Sequence, residues 1–309
     1  MMLNSWNEWD PLQEIVVGSA TNANWPVNDP VFAKERFKTS WKETPVPNGP
    51  VPQWIVDEAN EDLQILSDTL EKLGVTVYRP IEMDFPERGG MYNYCPRDRL
   101  IVAGDRLIDP AMMYPCRDME AEALSFAFLK ARNIYAMPRD KGYVLDAANV
   151  LRLGDKWLCL ISSSGNVPAI HWLQETINDM NIVIETCNFY NGVHIDSTIA
   201  ALNDHTAIVN GARVPPEKLP YAIRKWDIIW VNDVIERSFH EYPYASKWIG
   251  LNVLSVDPET VIVDKLQTKL IKELEQRRFT VIPLELRHSR TLGGGFHCVT
   301  LDLVRKTKY

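Results

Sequence analysis

Four stretches of this chain place an apolar run, a tight turn and a second apolar run in succession, over residues 100–108, 150–158, 199–209 and 253–263. Their turns fall at Gly104, Gly154, Asp204 and Asp257, at intervals of 50, 50 and 53 residues. Gly-Asp, Asn-Asp or Asp-Pro occupies each turn, which is the chemistry of a β-hairpin reversal. A helical pattern follows each hairpin, over 119–131, 169–180, 217–226 and 266–277; in the last, Leu266, Leu270, Ile271 and Leu274 share one face. An earlier helix is predicted over 57–73, where Leu63, Leu66, Leu70 and Leu73 form a stripe and Gly74 supplies a stop. Short apolar strands close the units at 75–78, 182–184 and 280–283, and strands at 14–18 and 299–303 complete one more. The repeat therefore reads strand, strand, helix, strand, about five times, with the last copy finished by the N-terminus.

A period near fifty residues also suits kelch blades, but those are all strand, and these units contain helices. Units of this kind closing on themselves would give an α/β propeller with a central channel. The Pro-, Trp- and Asn-rich segment 25–52 lies outside the repeat. It reads as a long ordered loop, either a lid over one end or a peripheral wrap.

The polar residues ahead of the hairpins fall in register. Asp98, Asp146, His194, Ser246 and Cys298 are separated by 48, 48, 52 and 52 residues, and Asp196 follows His194 closely. Alone, each has a plain explanation. An Asp before a strand caps a turn, a lone His is structural, and Cys298 after Gly293-Gly294-Gly295 could be a core cysteine behind a glycine-rich turn. Equivalent positions in a closed ring, however, converge on its axis, so the register predicts one central pocket. No zinc-binding spacing, Walker loop or dinucleotide fingerprint is present.

At 309 residues, 46% hydrophobic and 24% charged, the chain can bury a sizeable core as one large domain or two. A net charge of -8 argues against nucleic acid or an anionic membrane as partner. The five cysteines are dispersed and odd in number, which suits a reducing compartment better than a disulfide framework. Residues 1–10 resemble neither a secretory signal nor a transit peptide, and no apolar run reaches membrane-spanning length. A cytoplasmic location is expected.

A thiolate is the reactive form of cysteine, a neighbouring His can accept or return its proton, and an Asp can orient that His. The remaining carboxylates, Asp98 and Asp196, would oppose a thiolate unless the substrate is a cation. A planar guanidinium matches them best, paired in two-point fashion, with its central carbon open to sulfur. The product would be an S-amidino group on Cys298, and Gly293-Gly294-Gly295 would leave room for that planar group beside the sulfur.

These residues carry a family resemblance. The runs Asn7-Glu8-Trp9-Asp10-Pro11-Leu12, Pro96-Arg97-Asp98, Asp146-Ala147-Ala148-Asn149, His194-Ile195-Asp196-Ser197-Thr198, Trp248-Ile249-Gly250-Leu251-Asn252 and Leu292-Gly293-Gly294-Gly295-Phe296-His297-Cys298 resemble the amidinotransferases. That group contains glycine amidinotransferase and the inosamine-phosphate amidinotransferases. The resemblance runs nearly end to end and implies a single domain over 1–309 with the five-bladed α/β propeller, or pentein, fold. It implies Cys298 as nucleophile, His194 as general acid/base and Asp146 as its partner. Asp98 and Asp196 would grip the guanidinium, Arg213 the α-carboxylate of L-arginine, and Ser246 would assist Arg213. Tyr92 and Asn191 match further pocket-lining positions.

The implied reaction is ping-pong: arginine donates its amidino group to Cys298, ornithine leaves, and an acceptor amine collects the group. No metal or organic cofactor is expected, and a homodimer stays open. Glycine, giving guanidinoacetate, is the default acceptor. An aminocyclitol phosphate or another amine is the alternative, because 286–291 and Asp196-Ser197-Thr198 look closer to the inosamine-phosphate branch. Val193 also replaces the methionine of the glycine enzyme, and the 133–145 connector is shorter than in many relatives. A hydrolase of arginine deiminase or dihydrolase type, or a non-catalytic scaffold, are the competing readings.

Overall fold

A computed structural model describes residues 1–26, 29, 31, 47–190 and 192–307. Among them the repeat takes the form of five three-stranded sheets of one design. In each, two strands pair antiparallel, through a hairpin in four of the five, and a third joins parallel to one of them after a crossover. The sheets are Ile101–Ala103, Arg106–Asp109 and Asn133–Ala136; Val150–Leu153, Lys156–Leu160 and Val183–Cys187; Ile199–Ala201, Thr206–Asn210 and Asp227–Val231; and Leu254–Asp257, Thr260–Asp264 and Thr280–Leu284. In the fifth, Leu12–Val17 lies between the C-terminal Thr300–Arg305, antiparallel, and Thr76–Tyr78, parallel. The two chain ends thus share one sheet, as the pattern predicts.

Turn chemistry explains the hairpins. Gly104 and Gly154 adopt φ of +58° and +77°, conformations that cost glycine little. The glycine-free turns use side chains instead: Asn203 Oδ1 accepts from His205 N at 3.1 Å, and Asp257 Oδ1 accepts from Glu259 N at 2.8 Å.

Apolar clusters lie between successive sheets. Ile101 and Ile108 pack with Val150 and Trp157, Leu151 and Leu158 with Ile199 and Val209, and Ile208 with Val261 and Val263. Leu254 and Ile262 then pack with Ile15 and Val299, and Val16 and Leu301 pack with Val102 and Leu107. The last contact joins the fifth sheet to the first. Helices cover these sheets from outside. The longest, Gln53–Lys72, buries Ile55, Ala59, Leu63, Leu66 and Leu70. Leu73 falls off that buried face and is exposed, because the helix ends there in a turn closed by Val75 N bonding Leu70 O at 3.0 Å.

Two helical expectations are corrected. The 217–226 pattern forms only short 3₁₀ turns, Pro216–Lys218 and Tyr221–Ile223, because Pro215, Pro216 and Pro220 remove amide donors and stop propagation. The 119–131 pattern begins as a 3₁₀ run, Pro115–Leu124, and becomes α only over Ser125–Lys130. Of the 25–52 segment, residues 27, 28, 30 and 32–46 lie outside the described residues, and with them the choice between lid and wrap. Its ends pair as a small sheet, Asn24–Trp25 with Gly49–Pro50, and Trp25 stacks on Tyr244 at 5.7 Å. No helix among the described residues is long and apolar enough to cross a membrane.

A buried ionic cluster ties the first strands together. Arg152 bonds Glu8 at 2.9 Å and Asp302 at 2.8 Å, Arg305 bonds Asp302 at 2.9 Å, and Arg97 also pairs with Asp302. Asp302 is fully buried, and although burial opposes its charge, the three guanidinium groups hold its carboxyl well below the usual range. Removing one member strands opposite charges in a medium that cannot solvate them. We expect Asp302→Asn to destabilise the fold by about 3–5 kcal/mol, read as a shift in urea midpoint at unchanged slope; a loss below about 1 kcal/mol would contradict this role for the cluster.

Candidate active site

Asp98, Asp146, His194, Ser246 and Cys298 each sit on a tight turn ahead of the first strand of a sheet. Asp98 ends the 3₁₀ turn Pro96–Asp98, Asp146 caps Ala147–Asn149, and Ser246 caps Lys247–Leu251. Thr198 N closes on Ile195 O at 2.8 Å behind His194, and Val299 N on Gly295 O at 2.9 Å around Cys298. A short turn ahead of the first strand in all five units brings these residues together. Tyr92, Asp98, Asp146, His194, Asp196, Arg213, Ser246 and Cys298 all line one cavity of about 290 Å³. Asn191 lies outside the described residues. A larger groove of about 420 Å³ between 229–235 and 267–273 holds none of these candidates.

His194 is the hub. Its Nε2 is 3.0 Å from Asp146 Oδ2 and its Nδ1 is 3.7 Å from Asp98 Oδ1. Asp146 is itself fixed by Met113 N, which donates to Oδ1 at 2.7 Å. Burial opposes a charged imidazole, but Asp98, Asp146 and Asp196 outweigh it and raise the His194 pKa to about 9. His194 also holds φ at +56°, a left-handed conformation costing roughly 1–3 kcal/mol in a residue with a side chain. Its carbonyl is tied by the Tyr190 hydroxyl at 2.5 Å.

The Cys298 thiol is buried and donates to Asp196 Oδ2 at 3.2 Å, while its backbone N donates to Asn252 Oδ1 at 2.9 Å. Burial first, then Asp196 and Asp98, push this thiol well above its ordinary pKa. Asp196 Oδ2 also takes His297 Nδ1 at 2.9 Å, and His297 Nε2 reaches Glu8 at 3.2 Å. Against the cost of burial, His297 and His194 hold the Asp196 pKa at about 2. Asp196 is therefore a fixed anion beside a neutral thiol.

Arg213 forms a cationic corner of the cavity. It donates to Ser197 at 3.1 Å, Thr198 at 2.9 Å and Ser246 at 2.9 Å, and lies over the Tyr190 ring at 4.6 Å. Val193, half-exposed, lines the same cavity.

Two expectations need correction. The glycines ahead of Cys298 leave less room for a ligand than their composition suggests. Gly293 lines the cavity, but a Cβ on Gly294 would meet Cys95 Sγ at 2.4 Å, and one on Gly295 would meet Asn252 Cβ at 2.6 Å. Those two glycines admit neighbouring protein groups. The two-point grip by each carboxylate is also too generous: Arg117 takes Asp98 Oδ2 at 2.9 Å, and His297 and Cys298 take Asp196 Oδ2.

Arg117, Glu120, Tyr190 and the His297–Glu8 pair escape a sequence reading. Arg117 and Glu120 sit inside a run that reads as an ordinary helix; the adjacency of His297 to Cys298 is the one local signal that was available. Among the described residues no group of three or more His, Cys, Asp or Glu side chains could hold a metal ion.

Held together, a buried thiol, a protonated His and carboxylates around a small cavity can bind a compact cation, take it covalently on sulfur and protonate a leaving amine. No protein-family model matches the chain. An inosamine-phosphate amidinotransferase of Streptomyces glaucescens is 40% identical over 97% of this chain and 96% of its own length. The mitochondrial glycine amidinotransferase of Xenopus tropicalis is 26% identical over 98% of this chain and 82% of its own. Among solved structures, the inosamine-phosphate amidinotransferase of Streptomyces griseus superposes with a TM-score of 0.89 at 34% identity, covering 99% of this chain and 97% of that one. The dimethylarginine dimethylaminohydrolase of Pseudomonas aeruginosa, 13% identical, shares the fold with a TM-score of 0.69, covering 94% of this chain and 99% of that one. With that extent of similarity to both sequence and structure, the chain belongs to the amidinotransferases, enzymes of the α/β pentein-type fold.

Proposed function

We propose that the whole chain, 1–309, is one cytoplasmic amidinotransferase domain, a five-bladed propeller that moves the amidino group of L-arginine through Cys298 to an aminocyclitol phosphate. The observation that carries the reading is the convergence of Cys298, His194, Asp146, Asp98 and Asp196 on one cavity.

In the free enzyme Cys298 rests as a thiol. A guanidinium entering between Asp98 and Asp196 cancels the negative potential that holds the proton on sulfur, so substrate binding lowers the thiol's pKa; its proton is released to solvent and the thiolate forms, to be reprotonated from solvent when the product leaves. Sulfur attacks the central carbon. His194, already charged below about pH 9 and held by Asp146, gives its proton to the departing amine; ornithine leaves and a thiouronium remains. The acceptor amine then attacks, neutral His194 takes its proton, and the thiolate departs. Arg213, steadied by Ser246, receives the donor's α-carboxylate, and Tyr92 walls the guanidinium end.

Glycine, the default acceptor on sequence alone, gives way to the aminocyclitol phosphate, because the similarity is 40% to an inosamine-phosphate enzyme against 26% to a glycine enzyme. The hydrolase reading has only fold likeness behind it.

Arginine offered with inosamine phosphate, glycine or lysine distinguishes the acceptors by mass spectrometry. We expect ornithine to form in step with a guanidino product, with kcat/KM for inosamine phosphate at least about 100-fold above glycine. Glycine turning over as well would overturn the acceptor, and citrulline with ammonia would overturn transfer. Cys298→Ala should lose about 10³-fold or more of turnover and all adduct of amidino mass; full activity in this variant would rule out the covalent route.

The electrostatics predict a pH signature. With its pKa pushed above the ordinary thiol value, free-enzyme Cys298 should be alkylated by iodoacetamide ever faster up to pH 9, without a plateau. A plateau below pH 8 would show a pre-formed thiolate. Adduct formation from arginine should decline above about pH 9, as His194 loses the proton it donates.

A further inference from the structure

The buried pair Arg117–Glu120 takes no part in the steps above, yet it presses against the site. Arg117 Nη1 donates to Asp98 Oδ2 at 2.9 Å. Glu120 occupies the opposite edge of the guanidinium, accepting from Nε at 2.9 Å and from Nη2 at 2.9 Å. The Tyr92 ring covers its face, with Cζ 5.1 Å from the centroid. The side chains of Arg117, Asp98 and Glu120 are only 4%, 3% and 2% exposed.

A permanent cation beside a pocket that receives a cation would repel its substrate. Glu120 offsets that charge where it is ionised; burial raises its pKa to about 7, and burial likewise raises that of Asp98 against the pull of His194 and Arg117. What the pair supplies is geometry. A guanidinium gripped on one edge and stacked on an aromatic ring is a rigid planar donor, and its remaining N–H sets the plane of the carboxylate it meets. With Oδ2 engaged, Oδ1 is the acceptor left to Asp98. That atom is buried and faces His194 Nδ1 at 3.7 Å, beyond hydrogen-bond reach, and it accepts no hydrogen bond from any described residue. An unmade hydrogen bond on a buried carboxylate is costly, and such orphans persist in native structures where a ligand completes them.

We propose that Arg117, gripped by Glu120 and faced by Tyr92, is a positioning residue that aims Asp98 Oδ1 at the guanidinium of the donor. This rests on the arginine-dependent reading above and adds to it a residue outside the reacting set. It also gives Tyr92 a second duty: besides walling the cavity, its ring holds the guanidinium plane.

The full-length enzyme and its Arg117→Lys, Arg117→Gln and Glu120→Gln variants test this. Circular dichroism and melting establish folding. Intact mass then follows formation of the amidino adduct on Cys298 at increasing arginine, beside steady-state transfer. Loss of a buried charged hydrogen bond should raise the arginine concentration for half-maximal adduct formation at least about tenfold in both Arg117 variants, while the rate at saturation falls less. Lysine keeps the charge without the fork, so Arg117→Lys should resemble Arg117→Gln rather than wild type. Glu120→Gln should raise the same concentration by about threefold or more.

Folded Arg117 variants with donor dependence within about twofold of wild type, or with a loss confined to the saturating rate, would overturn the proposal. If both Arg117 variants fail to fold, an unchanged donor dependence in Glu120→Gln overturns it. A wild type that forms no adduct from arginine overturns the donor reading, and the positioning role with it. A wild type that forms the adduct, matched by its variants, removes the positioning role alone.

Discussion

The insertion of Leu12–Val17 between Thr300–Arg305 and Thr76–Tyr78 is the constraint on which the rest depends. Cys298 stands immediately before the C-terminal strand of this sheet, so its position is set by a ladder whose two halves come from opposite ends of the chain. Pairing residues almost three hundred positions apart carries a large loop-closure cost. The apolar contacts of Val16 and Leu301 with the first sheet and of Ile15 and Val299 with the fourth offset it. The ionic cluster completes the closure: Glu8 and Asp302, one from each end, meet on Arg152 of the second sheet. The placement of Cys298 and the closure of the fold are therefore one problem, solved by one set of contacts.

That closure also accounts for the charge of the cavity. Glu8 reaches His297, His297 reaches Asp196, and Asp196 accepts from the Cys298 thiol. The chain of partners keeps Asp196 ionised though buried, and the same anion keeps the thiol protonated. A site so arranged stores its reactivity. On the proposed mechanism its thiol reacts slowly with neutral electrophiles near neutral pH, and it becomes nucleophilic when a cation replaces the missing positive charge. Selectivity for a guanidinium and activation by it follow from the same excess of carboxylates.

The legible part of this design is what repeats. Asp98, Asp146, His194, Ser246 and Cys298 stand out because a ring of similar units converts equal spacing along the chain into shared position at its centre. Hairpins whose turns carry Gly104 or Gly154 are legible because turn geometry is chosen locally. The 217–226 segment misleads because its apolar spacing suits a helix while its prolines deny it one. Arg117 and Glu120 are hidden for a different reason. An arginine three residues before a glutamate reads as an ordinary solvated helical pair, and only tertiary burial sets it against Asp98. The glycines before Cys298 mislead in the opposite direction, since the space they open is filled by Cys95 and Asn252.

The occupied oxygens on both carboxylates bear on how such a site handles two successive substrates. A carboxylate free to bind in two-point fashion would hold arginine tightly and hold the thiouronium equally tightly, and uniform binding of this sort does nothing for the chemical step. Here Asp98 keeps one open oxygen, its plane fixed by Arg117, and Asp196 shares its Oδ2 with the sulfur. On the proposed mechanism, when Cys298 loses its proton the hydrogen bond to Asp196 is lost as well, and that oxygen becomes available to the amidino N–H groups as carbon approaches sulfur. The grip on the transferring group thus strengthens along the reaction coordinate and relaxes when the thiol is restored. Differential binding of this kind lets one small cavity capture the amidino group from one amine and release it to another.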